Sequence, residues 1–280
     1  MIANARMYGV TPAVAALWRQ LLEAVVRKSG LAIEVVDHPP PLPVAALWER
    51  DDKAAVFMCG LPYSRTSLRP VLVAAPVPSH DEATYWTDMI VAAEAPFRRI
   101  EETFGRRIAF TTPESQSGFA APLDYLRQFS GPSPLYDELV APAVTPLGAV
   151  QMVIDGEAEV AALDSYAHAL LRRHAPGLAA RLRTVATTKS TPIPPLVASS
   201  HAAEPLAAAF AEAHRDPETA PLLVELLLER FARPAPEIYD GLRRDYEGSL
   251  RFWREHRFAR LTHPAFAELR VEPVGSQEGP

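Results

Sequence analysis

Short, nearly uninterrupted apolar runs alternate with amphipathic stretches from residue 2 onward, and this alternation limits the possible folds more than any single motif does. A strand covered on both faces reads as a continuous apolar run, whereas a helix packed on one face repeats its apolar positions every three or four residues. Ala54-Ala55-Val56-Phe57-Met58 is a run of the first kind. Val14, Leu17, Trp18, Leu21, Leu22 and Val25 follow the second rule, between a start signal at Thr11-Pro12 and a stop at Ser29-Gly30. Strand followed by helix followed by strand predicts the α/β class, with parallel neighbours in the sheet. Further strands are expected at Ile2 to Val10, Leu31 to Val36, Val71 to Val77, Tyr85 to Ala93, Arg107 to Thr111, Glu159 to Leu163, Leu182 to Thr188 and Pro195 to Ala198. Helices are expected through Trp48, near Ile100 to Phe104, from Ser117, over Pro146 to Gly156 and over Asp164 to His174, with a mostly helical part through Arg254. A polar turn at Pro78 to Glu82 and a fraying tail at Glu272 to Pro280 complete the pattern.

The grammar restarts beyond Ala93, so the chain reads as two α/β lobes. Residues 89–188 form a complete second lobe, and residues 1–88 plus 189–280 form a discontinuous first one, the two joined by a two-strand hinge. Open α/β sheets bind ligands beyond the carboxyl ends of their strands, so two facing lobes make a clamp around a cleft.

Composition removes several classes of partner. With 34 acidic against 28 basic residues, a net charge of -6 and no lysine or arginine run, neither a nucleic-acid groove nor an anionic membrane surface is expected. The longest apolar runs fall short of the roughly 18 to 20 residues of a spanning helix, so no membrane insertion is expected. A single cysteine, Cys59, rules out an internal disulfide and a multi-cysteine metal centre. Met1 to Met7 lack the basic and apolar regions of an export signal. The expectation is therefore a periplasmic protein whose signal has been removed, or otherwise a cytoplasmic one.

Three segments at strand ends carry candidate binding chemistry. In Thr111-Thr112-Pro113-Glu114-Ser115-Gln116-Ser117-Gly118-Phe119, small hydroxyl residues separate a strand from an apolar helix. Unpaired amides and a partial positive charge at a helix start hold anions without any lysine, and Gly118 admits close backbone approach. A plain serine N-cap fits the same residues. In Asp164-Ser165-Tyr166-Ala167-His168, the first two side chains offer hydrogen bonds and Tyr166 a cover, while a simple helix cap is the alternative. Asp, Ser and His within one turn cannot form a hydrolase triad, and Asp164 with His168 lacks further metal ligands. The third segment, Met58-Cys59-Gly60-Leu61-Pro62-Tyr63, offers a turn at Gly60 and an aromatic wall at Tyr63; Cys59 without a histidine partner reads as an inert thiol. Tyr8 is a fourth wall or a core residue. Trp18, Trp48 and Tyr85-Trp86 read as packing, and Pro39-Pro40-Pro41 as a stiff loop. No catalytic residue, metal ligand or cofactor is assigned.

Met58 to Tyr63, Ser115 to Gly118, Ala158 to Tyr166, and Thr187-Thr188 leading to Pro192-Ile193-Pro194-Pro195, in this order, resemble the phosphonate-binding periplasmic proteins of ABC importers. The resemblance spans roughly residues 1 to 200 and implies the type 2 periplasmic-binding-protein-like fold. It implies a monomer that hands a small anionic ligand to a membrane permease. In that family a hydroxyl-rich turn ending in glycine grips the phosphonate oxygens, which falls here on Ser115, Gln116, Ser117 and Gly118. The family's aromatic after the third strand falls on Tyr63 or on Cys59 and Gly60, and its acidic position on Asp164. Gln116 stands where the family has a hydroxyl residue. Two other readings use the same frame: an enzyme employing Asp164, His168 or Cys59, and a cytosolic ligand sensor.

Overall fold

The computed structural model describes residues 1–78 and 82–269. The fraying tail expected from Glu272, and part of the expected turn at Pro78 to Glu82, lie outside the described residues.

The first sheet is built largely from the N-terminal third. β1 (Ile2–Asn4) leads through a 3-10 turn at Arg6–Tyr8 into α1 (Pro12–Ser29). The expected strand to Val10 is therefore shorter; the residues after Asn4 are apolar because Tyr8 and Val10 are buried at a bend. Thr11 caps α1 by accepting from the Val14 amide at 3.2 Å, Pro12 occupies the first position, and Gly30 ends the helix at φ 70°. There follow β2 (Glu34–Val35), α2 (Ala45–Trp48), β3 (Lys53–Phe57), α3 (Gly60–Arg65) and β4 (Val71–Pro78). β5 (Thr84–Tyr85) then carries the chain across to the second lobe.

The second sheet repeats the plan with β6 (Thr87–Ala92), β7 (Arg107–Ala109), a π-helical turn at Gln116–Ala120 running into α4 (Ala121–Leu126), β8 (Glu138–Leu139), α5 (Pro146–Ile154), β9 (Val160–Asp164), α6 (Ser165–His174), α7 (Pro176–Ala179) and β10 (Leu182–Thr187). β11 (Thr191–Pro192) returns, pairing antiparallel with β5. β12 (Leu196–Ala198), α8 (Ser200–Glu212), α9 (Ala220–Glu225) and β13 (Leu228–Ala232) complete the first lobe, and α10 (Asp240–His256) and β14 (Arg260–Leu261) end the chain.

The strand orders are β13-β4-β12-β3-β1-β2 and β10-β6-β9-β7-β8-β14. In each sheet the strand that starts the unit, β1 or β7, lies between its two parallel neighbours, β2 and β3 or β8 and β9. An antiparallel strand, β12 or β6, flanks each triplet. This is the two-lobed type 2 architecture. Adjacent parallel strands whose connections run to opposite sides open a crevice at their carboxyl ends.

Two expectations need correcting. The strands at Tyr85 to Ala93 and Leu182 to Thr188 lie mostly inside the second sheet as β6 and β10, and the crossing pair is the short β5–β11 ladder. Nor does everything after residue 189 return to the first lobe. β14 pairs with β8 in the second sheet, and α10 packs on both α3 and α4. The buried Tyr246, Leu250 and Trp253 of α10 join the second lobe's core with Phe110, Phe119 and Leu123, and the Trp253 indole donates to the Leu123 carbonyl at 2.9 Å. Burying side chains of this size contributes about 1.5–3 kcal/mol each, enough to draw the C-terminal segment across.

Candidate functional site

The carboxyl ends of β1, β3, β7 and β9 border one cavity of about 700 Å³ between the lobes. From the first lobe come Ala5 to Val10 after β1, Cys59 after β3, α1 and the loop from Val35 to Trp48. From the second come Thr111, Ser115, Ser117 and Gly118 after β7, Thr145 to Leu147 at the start of α5, and Asp164.

Three helices begin at this cavity, and each is capped in the same way. Ser115 Oγ accepts from the Gly118 amide at 2.9 Å, Thr145 Oγ1 from the Gly148 amide at 3.0 Å, and Asp164 Oδ1 from the Ala167 amide at 2.9 Å. A cap satisfies one of the four amides that a helix start leaves without intrahelical partners, so the positive ends of three helices face the space between the lobes. Thr145-Pro146 repeats the cap-and-proline signal of Thr11-Pro12, so its helix start was legible in the sequence; its place at the cavity was not.

The expected turn has a specific internal geometry. Thr111 N donates to the Gly118 carbonyl at 3.0 Å, tying the end of the strand to the first helical turn. A β-carbon on Gly118 would lie 1.8 Å from Thr111 Oγ1, so only glycine fits. Ser117 Oγ donates to Asp164 Oδ2 at 3.2 Å, linking the helix starts capped by Ser115 and Asp164. Gln116 is buried; its side chain does not border the cavity, and its amide donates to Cys59 Sγ at 3.0 Å across the lobes.

Burial dominates the acid–base character of the site. It pushes the Asp164 carboxyl up to about 7, against the lowering effect of the Ala167 amide and the Ser117 hydroxyl, with the Asp88 charge adding to the rise. The Cys59 thiol is pushed up to about 11, again by burial, so it is a neutral acceptor and not a thiolate. Tyr8 is raised well above the ordinary tyrosine range by burial and the nearby Asp164. The Tyr8 hydroxyl, Trp18 Nε1 and Thr111 Oγ1 are buried without a hydrogen-bond partner, and all three residues border the cavity. Orphaned buried donors of this kind call for an explanation, and a ligand supplies one.

The structure thus brings Tyr8, Cys59, Ser115, Ser117, Gly118 and Asp164 together at one cavity. It places the other candidates elsewhere. Gly60 opens α3, where an added β-carbon would lie 2.7 Å from Leu242 and 3.1 Å from Tyr239, so it is a packing glycine. Tyr63 is buried behind it, edge-on to Tyr239 and beneath the Arg69 guanidinium. Ser165 Oγ accepts from the Trp86 amide at 3.0 Å, fastening α6 to the hinge. Tyr166 packs on Tyr8 with centroids 4.7 Å apart and donates to the Leu226 carbonyl at 2.7 Å, so it holds the lobes together. His168 turns from Asp164 to Asp88, with Nδ1 and Oδ2 2.7 Å apart. Among the described residues no group of three or more histidine, cysteine, aspartate or glutamate side chains is arranged to hold a metal ion.

Trp18 and Trp48, expected as packing residues, also border the cavity, as do Arg6 and the proline loop. Sequence periodicity places Trp18 on the buried face of α1, but that face is shared between core and cavity.

A family model described as ABC transporter, phosphonate, periplasmic substrate-binding protein matches residues 11–239. No curated protein matches the chain. Among solved structures, a binding protein component of an ABC phosphonate transporter from Pseudomonas aeruginosa shares 14% identity at a TM-score of 0.76, covering 96% of this chain and 92% of its own. PhnD1 from Prochlorococcus marinus, solved with methylphosphonate, shares 13% identity at 0.72, covering 88% and 96%. A protein from Xanthomonas citri bound to ATP shares 19% identity at 0.58, covering 91% and 98%.

Proposed function

This chain belongs to the family of phosphonate periplasmic substrate-binding proteins of ABC transporters, and from that premise we propose that its interlobe cavity takes up a phosphonate-, phosphate- or sulfonate-like anion. The observation that carries the reading is the meeting of three capped helix starts with the unpartnered Tyr8 and Thr111 hydroxyls at one cavity. Backbone amides at helix starts attract negative charge through fixed dipoles and need no desolvated lysine. The two hydroxyls supply donors from both lobes, so an anion held between them favours the arrangement in which the lobes meet.

The protein acts by binding and delivery. Its partner is a membrane permease of an importer, it works as a monomer, and its place of action is the periplasm. Ser115, Ser117 and Asp164 hold the amides in position, while Tyr8, Cys59 and Gly118 shape the contact surface. Gln116, whose amide is engaged by Cys59, contributes through that interlobe bond.

Calorimetry and thermal denaturation against methylphosphonate, inorganic phosphate, methanesulfonate and acetate test the reading. An anion present at 100 times its dissociation constant stabilises the fold by about 2.7 kcal/mol, which a melting curve resolves. Silence across these anions and their larger relatives refutes the proposal.

A further inference from the structure

A phosphonate or phosphate head displaces the volume of only a few waters, at about 30 Å³ each, whereas the cavity measures about 700 Å³. Pockets of roughly 300–1,000 Å³ enclose organic ligands of many atoms. The wall beyond the anion end carries much carbon beside the engaged Arg6, Arg19 and Asp37. Val36, Pro39, Val44 and Trp48 line it on one side, Leu22 of α1 on another, and Leu147 on the second lobe's rim. Leu147 is 38% exposed, so its side chain is open to contact from the cavity.

This wall is already organised. Asn4 Nδ2 donates to the Val36 carbonyl at 2.8 Å, Arg19 to the Val35 carbonyl at 2.9 Å, and the Trp48 indole to the Phe57 carbonyl at 2.9 Å. Arg6 donates to the Leu42 carbonyl, and Arg19 is paired with Asp37. The polar groups of the segment are therefore largely engaged in holding the loop, and Val36, Pro39, Val44 and Trp48 add carbon to the wall it presents to the cavity.

Resting on the anion-binding reading of the same cavity, we infer that the ligand carries a bulky apolar substituent, of aryl or branched-alkyl size, seated between α1 and the Val35–Trp48 loop. The charged head lies at the three helix starts, and the substituent fills the carbon-lined remainder.

The test is calorimetry on the full chain with four probes: inorganic phosphate, methylphosphonate, phenylphosphonate and benzylphosphonate. Phenyl- and benzylphosphonate are expected to bind at least tenfold more tightly than methylphosphonate, the factor that burial of a ring in place of a methyl group gives. Val44→Ser, at a partly exposed position where the fold tolerates change, is expected to lower affinity for the ring-bearing probes three- to tenfold and to leave methylphosphonate unchanged. Equal or tighter binding of methylphosphonate overturns this inference and leaves the anion reading standing. Equal losses for all probes in Val44→Ser also overturn it. Failure of all four probes to bind overturns this inference together with the phosphate and phosphonate arms of the anion reading.

Discussion

The two sides of the cavity use side-chain polarity in opposite ways. On the second lobe, Ser115, Thr145 and Asp164 are each committed to a backbone amide three residues on, and Ser117 is committed to Asp164. Their polar atoms orient helices, and the helices carry the positive potential. On the first lobe, Tyr8 and Trp18 border the same space with a hydroxyl and an indole N–H that no protein group meets. One side has satisfied its own hydrogen bonds and offers fixed dipoles; the other leaves donors free among aromatic rings. Thr111, at the end of β7, is a second-lobe exception, because its hydroxyl is also unpartnered. A serine or threonine at a helix start is therefore weak evidence of ligand contact, and strong evidence of where amides point.

The contrast is most easily broken at glycine. On the second lobe, Gly118→Ala drives a β-carbon to 1.8 Å from Thr111 Oγ1 and 2.9 Å from Thr111 Cβ, in a turn closed by the Thr111–Gly118 backbone bond. Overpacking of that degree is expected to cost about 3 kcal/mol and, by tilting the helix start, more than tenfold in anion affinity. On the first lobe, Gly9→Ala brings its β-carbon to 3.3 Å from Ala15 Cβ, a contact that a small shift relieves. It is expected to cost less than about 1 kcal/mol. Urea denaturation of both variants decides the matter: equal costs would mean the two sides are equally rigid.

The next largest effect concerns Asp164, the carboxyl among the helix starts. Its pKa is raised from 3.8 to about 7 by burial, so between those values the folded state holds a proton that the unfolded chain has lost. The folded state binds more protons there, and stability falls as pH rises from about 4 to about 7, then levels off. Asp164→Asn keeps the cap and removes the titration. It is expected to flatten that decline and to be more stable than the parent by about 2 kcal/mol at pH 8. Benzenesulfonate, whose charge is constant over this range, is expected to bind the parent progressively less well through pH 7 and the variant uniformly. The first lobe offers no counterpart, because burial keeps Tyr8 neutral throughout. A parent whose stability rises with pH over this interval would show that the carboxyl is ionised in the fold.

Much of this arrangement was legible because it is written in local chemistry. Thr11-Pro12, Thr145-Pro146 and Ser115 announce helix starts through capping, which needs no knowledge of the rest of the chain. Strands β3, β4 and β9 announce themselves as apolar runs. Partners distant in sequence were not legible. Gly60 and Tyr63 lie beside a strand end, as a site residue would, but α10 and the 3-10 turn before it arrive from far along the chain and cover them with Leu242 and Tyr239. β13, whose buried Leu228 and Phe231 are spaced as on a helix, reads as part of the helical C-terminal stretch, and β14 joins the second sheet through pairing that no local pattern records. Ser165 and Tyr166 follow Asp164 directly, yet a helix turns successive side chains about 100° apart, so one faces the hinge and the next the other lobe.

The smallest effects sharpen the contrast most, because they differ in sign. Ser115→Ala removes a cap from the second lobe and leaves the Gly118 amide unpaired, an expected loss of about 1 kcal/mol in stability. Tyr8→Phe removes a hydroxyl that has no protein partner in a fully buried position, so the free protein is expected to be unchanged or up to about 1 kcal/mol more stable. Affinity for phenylphosphonate is nevertheless expected to fall three- to tenfold in Tyr8→Phe, because the donor is lost only where a ligand would use it. Thermal denaturation with and without the probe reads both quantities on one sample. A Tyr8→Phe protein that melts earlier than the parent when empty would mean that the hydroxyl already has work within the fold. The first lobe would then be as self-satisfied as the second, and its free donors would no longer distinguish the two sides.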